Sequence, residues 1–127
     1  MIFDTDILIW VQCGMDSAAN LINDADRRRI SIISYMEFIQ SSHDKKMLVK
    51  CKNFLSKLDL EIIPVSPDIS HRAAVFIEYF SLSHNLTIPD AIIAATAFEY
   101  GVPLATSNYK DYKMITGLEI KRLHVRQ

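Results

Sequence analysis

Short apolar runs alternate along the chain with longer stretches in which apolar residues recur every three or four positions. Met1 to Phe3, Arg29 to Ile33, Glu61 to Val65, Pro103 to Thr106 and Leu118 to Ile120 read as short strands. Between them lie helical patterns. Asp6 to Val11 and Ser17 to Ala25 form a short helix and a longer one. Ser34 suits an N-cap, with Glu37 three residues on to complete a capping box, ahead of Tyr35, Met36, Phe38 and Ile39. Asp44 is placed to cap a helix whose stripe is Met47, Leu48, Cys51, Leu55 and Leu58. Ser66 or Asp68 starts a helix that runs to about Ser83. Pro89 stands where a first-turn proline belongs, and Asp90 to Tyr100 is an alanine-rich helix ended by Gly101. The segment 107–111 reads as a loop. Strands separated by helices predict a three-layer α/β/α fold around a mostly parallel sheet, as one domain over residues 1–127.

That architecture has a chemical consequence. Ligands of open parallel sheets bind outside the carboxyl ends of the strands. Asp4 follows the first strand, Glu37 lies just beyond the second, Asp90 opens a helix, and Asn108 and Asp111 follow the Pro103–Thr106 strand. Adjacent parallel strands would bring these side chains to one edge. Carboxylates so grouped repel and raise each other's pKa unless cations join them. Hard divalent ions prefer such oxygen ligands, and magnesium takes one or two carboxylates directly while keeping several waters. In phosphodiester hydrolysis one ion acidifies a water and a second stabilises the leaving oxygen. Each acid also has a purely structural role open to it: a helix cap for Asp4, the capping box for Glu37, and the helix dipole for Asp90.

Composition narrows the classes. Half the residues are hydrophobic and 23% are charged, which is globular and not disordered. No apolar stretch approaches a membrane span, and the start lacks the marks of a secretory signal, so the expectation is a soluble cytoplasmic protein with no membrane partner. Cys13 and Cys51 stand far apart and are expected to be reduced thiols, and His43, His71, His84 and His124 show no zinc spacing. The net charge of −1 hides a segregation. Residues 1–26 carry five aspartates and no Lys or Arg, whereas residues 27–57 carry eight Lys or Arg against Glu37 and Asp44. Such a pattern fits an acidic metal site beside a phosphate-binding surface, or simply solvated faces.

Four segments together resemble the PIN-domain nucleases. Ile2-Phe3-Asp4-Thr5-Asp6-Ile7-Leu8 is similar to their opening, and Ser34-Tyr35-Met36-Glu37 to their Ser/Thr-x-x-Glu segment. Residues Ile88 to Ala97, IPDAIIAATA, are similar to their Asp-Ala-hydrophobic-Ile-Ala-Ala-x-Ala helix. Leu104 to Tyr112 resembles their Thr-x-Asn/Asp-x-x-Asp-Phe segment. Order and spacing hold over essentially the whole chain, and size and motifs look most like the VapC toxins of type II toxin–antitoxin pairs.

The resemblance implies a PIN-like fold and an endoribonuclease dependent on Mg²⁺ or Mn²⁺, with Asp4, Glu37 and Asp90 as catalytic acids. Asp111 and Asn108 are further candidate ligands. Many members have Asp where neutral Asn108 stands here, while Asp111 lies one helical turn on. Thr106 is the hydroxyl that would position an acid or water, and Thr5 and Asp6 would support the site from behind. Arg27, Arg28, Lys45 and Lys46 are candidates for holding the RNA backbone. Tyr35, Tyr109 and Tyr112 are aromatic groups near strand ends, with packing the expected role of Tyr35 and Tyr112. The implied partners are an RNA substrate, a small cognate antitoxin and a second copy of the chain in a homodimer. Two other readings stay open: a PIN fold that binds RNA or a partner without cutting, and an Asp-x-Asp phosphatase of the haloacid dehalogenase type built on Asp4 and Asp6.

Overall fold

Parallel pairing of five short strands sets the frame. The computed structural model describes residues 1–125. In chain order the elements are β1 (Ile2–Phe3), α1 (Thr5–Gln12), α2 (Asp16–Asn23), β2 (Arg29–Ser31), α3 (Ile32–Gln40) and α4 (Lys45–Lys57). Then come β3 (Glu61–Ile63), α5 (Pro67–His84), α6 (Ile88–Tyr100), β4 (Leu104–Thr106), α7 (Tyr109–Tyr112) and β5 (Ile120–Arg122). The sheet order is β3-β2-β1-β4-β5, and every pairing is parallel. Helices therefore cover both faces, because each parallel return needs a crossover.

Strand alternation divides the core in two. Ile2 and Leu104 point to the face covered by α5 and α6, where they join Ile69, Phe76, Ala91 and Ala94. Their neighbours Phe3 and Ala105 point to the other face, where they meet Ile7, Ile22, Phe38 and Leu55. A two-residue strand such as β1 thus anchors both layers, since successive side chains leave opposite sides of the sheet.

Several boundaries differ from the sequence reading, each for a local reason. The N-cap of α3 is Ser31, whose Oγ accepts from Ile33 N at 3.1 Å, so β2 stops there and Ile32 and Ile33 wind into the helix. Cap chemistry outweighs the strand preference of those two isoleucines. Ser34 is buried inside α3 and caps nothing, which removes the capping box proposed for Glu37. β3 ends at Ile63, before Pro64, which has no N–H to donate to the ladder. Thr87 caps α6, so the helix begins two residues before Asp90. Residues 109–112 are the short helix α7 and not loop. β5 lies two residues later than expected, because Gly117 takes φ +88° and Leu118 N bonds back to Ile115 O, which keeps Leu118 in the turn.

Other expectations hold. Asp44 caps α4 through Met47 N at 2.8 Å, Ser66 caps α5, and Gly101 ends α6 at φ +62°. Both cysteines are free.

Candidate active site

All five strands end at the same edge, and the loop after β1 sits at its centre between the ends of β2 and β4. Asp4 is 4% exposed there. It does cap α1, accepting from Thr5 N at 2.8 Å through Oδ1. Its other oxygen is held from two sides: Thr106 Oγ1 donates to Oδ2 at 2.8 Å and Tyr112 OH at 3.1 Å. The same phenol hydroxyl lies 3.1 Å from Asp90 Oδ1. One hydroxyl proton therefore serves two carboxylates. Tyr112 has no exposed surface, so its ring is packed while its hydroxyl is spent on the acids.

The remaining acids are placed by their own partners. Glu37, half-buried on α3, accepts from Thr5 Oγ1 at 2.6 Å. The threonine next to Asp4 thus ties the second acid to the first. Asp6 has a different task. Its Oδ2 accepts from both the backbone N–H (2.8 Å) and the hydroxyl of Ser107, fixing the β4–α7 connection. Trp10 Nε1 donates to the same Ser107 hydroxyl at 3.3 Å. Thr106 Oγ1 accepts from Asn108 N at 3.0 Å while donating to Asp4, so α7 is hung from the hydroxyl that positions Asp4.

Electrostatics follow from this crowding. Burial, with the nearby charges of Asp6 and Asp90, pushes the Asp4 carboxyl up to about 8 against the bonds from Thr106 and Thr5. Asp90 is raised as well, by burial and by the charges of Asp111 and Glu37, with the Tyr112 bond opposing. These influences place Glu37 and Asp111 within electrostatic reach of Asp90. Burial and the two aspartates push the Tyr112 phenol well above its usual range, so it stays a neutral donor.

Not every candidate arrives at this edge. Arg27 and Arg28 precede β2 and lie at the opposite, amino edge, where Arg27 shares a cleft with Met1 and Pro103. There Arg27 pairs with Glu61 at 2.6 Å and Arg28 donates to Leu58 O at 3.1 Å. Placement before a parallel strand, and not after it, separates them from the acids. Lys45 and Lys46 are exposed on the first turn of α4. Asn108 gives its backbone N–H to Thr106, and its side chain lines the neighbouring cleft. All four histidines are exposed. Tyr112, for which packing is the sequence expectation as it is for Tyr35, gives its hydroxyl to the two aspartates. A tyrosine one position after Asp111 signals a hydroxyl, but nothing local shows that the hydroxyl reaches Asp4, which is 108 residues away.

The donor set fits a hydrated hard cation. Among the described residues no three His, Cys, Asp or Glu side chains converge as ligands of one ion. Magnesium needs only one or two carboxylates beside its waters, and Asp4 with Asp90 offers two. Neither ion pair among the described residues, Arg27–Glu61 or Arg72–Glu99, involves these acids. Among the described residues the negative charge gathered here has no basic side chain in an ion pair with it.

The model of the PIN domain matches residues 1–115. The chain belongs to the PIN domain family. Ribonuclease VapC1 of Rickettsia felis is 28% identical over 126 residues, covering 94% of this chain and 93% of that protein. Among solved structures, a toxin–antitoxin complex from Klebsiella pneumoniae contains a chain 30% identical, with a TM-score of 0.79 and coverage of 98% of both chains. VapBC2 from Rickettsia felis, bound to a DNA fragment from its promoter, has a chain with a TM-score of 0.78 and 24% identity, covering 97% of this chain and 99% of that one. This last likeness concerns the fold. PIN membership sets the phosphatase reading aside, and the geometry agrees, because Asp6 is engaged in holding Ser107 and is not a free acid beside Asp4.

Proposed function

We propose that this chain, a single PIN-like domain, is a metal-dependent endoribonuclease and the toxin of a toxin–antitoxin pair, acting in the cytoplasm with Mg²⁺ or Mn²⁺. The observation that carries the proposal is the pair of buried Asp4 and half-buried Asp90 at the carboxyl edge around one shared hydroxyl, with Glu37 and Asp111 bearing on Asp90 and no ion pair to these acids among the described residues. The ribonuclease relative and the toxin–antitoxin complex of similar fold support the choice of RNA as substrate and of a small antitoxin as partner. Among the described residues no helix is long and apolar enough to cross a membrane.

Asp4 and Asp90 would hold the ion, with Glu37 and Asp111 adding negative charge around it. A bound divalent ion supplies positive charge against the scissile phosphate and acidifies a water molecule. The protein supplies the geometry. Thr106 and the Thr5 N–H fix the two oxygens of Asp4, the Thr5 hydroxyl orients Glu37, and Tyr112 spaces Asp4 from Asp90. Held in this way, the carboxylates do not have to reorganise when charge develops during phosphodiester cleavage.

The test is cleavage of a single-stranded oligoribonucleotide in Mn²⁺ by the purified protein and its Asp90→Asn variant, with circular dichroism to confirm folding. The expected result is cleavage by the first, loss of about a hundredfold or more in the second, and identical spectra. Full cleavage by Asp90→Asn overturns the site. Binding of RNA without cleavage by the unaltered protein in saturating Mn²⁺ replaces the enzyme with a binding module.

A further inference from the structure

Beside the acids, at the ends of β4 and β5, lies a cleft of about 440 Å³ lined by Trp10, Ser107, Asn108, Arg122 and His124. Such a volume lies within the range of small-ligand sites. Arg122 pairs in register with Thr106, one strand over from the hydroxyl that holds Asp4. Its guanidinium lies 4.5 Å from the Tyr109 ring centroid, so Tyr109 supports its flat face. Neither ion pair among the described residues uses it. Trp10 forms one wall, its ring oriented by the bond to Ser107. Asn108 is exposed, and its side chain does not cap α7.

We infer that this cleft is a nucleotide subsite, which receives the residue of a single-stranded RNA that adjoins the scissile phosphate. The inference rests on the ribonuclease reading above and deepens it. A guanidinium backed by an aromatic ring suits a phosphate oxygen. An indole face suits a base, which stacks without regard to its identity. A free carboxamide, with one acceptor and two N–H donors, can read a base edge. The three stand together around one cavity, and Ser107, which also lines it, is held by Asp6. A chain whose phosphate lies on Asp4 and Asp90 meets the negative charge gathered there, and Arg122 offsets it on the side of β5. At Asn108 the carboxamide offers N–H donors as well as an acceptor, where a carboxylate would offer acceptors alone.

Trp10 is the single tryptophan of the chain, which makes the test direct. The unaltered protein and Arg122→Ala, both in EDTA, are titrated with a single-stranded oligoribonucleotide at several salt concentrations while tryptophan emission is followed. Cleavage kinetics are run separately in Mn²⁺ with the unaltered protein and Arg122→Ala. Stacking is expected to quench Trp10. Loss of one phosphate contact is expected to weaken binding about tenfold and to lower the salt-dependence slope of binding by about 0.7. In cleavage the loss falls on KM rather than kcat. Asn108→Ala is expected to change which bonds of a mixed-sequence RNA are cut. If the unaltered protein cuts RNA, yet Trp10 emission does not respond and Arg122→Ala leaves KM unchanged, the subsite is wrong while the ribonuclease reading stands. A Trp10 response to a protein partner's peptide, with none to RNA, likewise overturns it and gives the cleft to that partner. Absence of any cleavage by the unaltered protein removes the reading on which it rests.

Discussion

Replacing Asp4 by asparagine should make the metal-free protein more stable, and increasingly so as pH rises. The carboxyl of Asp4 is held near 8 in the fold against an ordinary 3.8. Because the folded value lies above the unfolded one, the folded chain keeps a proton that the unfolded chain releases. Its contribution to stability is complete below about pH 4 and is lost as pH rises through 8. At about 1.4 kcal/mol per pH unit, the loss by pH 7 is on the order of 4 kcal/mol. Asparagine has the same shape and no charge to desolvate. Its oxygen can keep the bond from Thr5 N, and its amide can face the Thr106 and Tyr112 oxygens, both able to accept. Reordering these bonds costs about 1 kcal/mol. Asp4→Asn should therefore exceed the unaltered protein by roughly 3 kcal/mol at pH 7 and show no advantage at pH 4.5. Asp90 titrates in the same direction, and because its charge bears on Asp4 the gap reads the Asp4 charge together with its coupling to Asp90. Urea midpoints in EDTA at several pH values measure the gap, and adding Mn²⁺ should close it from the side of the unaltered protein alone. A gap that stays constant with pH, or an unaltered protein that is the more stable at pH 8, would refute the reasoning.

Two further outcomes test neighbouring parts of the argument. Tyr112→Phe keeps the buried ring but leaves Asp4 and Asp90 one donor short. It should cost about 1–3 kcal/mol in the metal-free state. It should also weaken Mn²⁺ binding about tenfold by calorimetric titration, and unchanged affinity would confine Tyr112 to packing. The double variant Arg27→Ala with Arg28→Ala lies at the amino edge, where the Arg27–Glu61 pair is exposed. It should shift the urea midpoint by an amount corresponding to less than about 1 kcal/mol and leave RNA cleavage rates unchanged. A large loss of cleavage would extend the RNA path around the sheet.

The architecture has a bearing on how such a site is kept in check. The acids sit at an open edge and no ion pair among the described residues involves them, so what occupies them is decided by what arrives: a divalent ion, the phosphates of RNA, or a cationic group of a protein partner. A side chain such as arginine can supply the charge that metal otherwise would. This is consistent with the toxin–antitoxin reading, in which the activity is controlled by a second protein.

Much of this was present in local sequence. The alternation of short apolar runs with helical stripes sets the order of elements, because periodicities of two and 3.6 are properties of neighbouring residues. Ser66, Asp44 and Gly101 mark helix ends through bonds made within a few positions. The carboxyl-edge rule for parallel strands singles out Asp4, Glu37, Asp90, Asn108 and Asp111 from sequence. Two kinds of fact required the tertiary structure. One is competition between nearby signals: Ser31 and Ser34 are both plausible caps, and burial of Ser34 against the core leaves Ser31 to start α3. The other is contact across long chain separations. That Tyr112 spaces two aspartates, that Thr5 rather than a capping box holds Glu37, and that Arg27 and Arg28 stand away from the acids all depend on the order β3-β2-β1-β4-β5. Strand order arises from the joint packing of both helical layers, and no single segment encodes it.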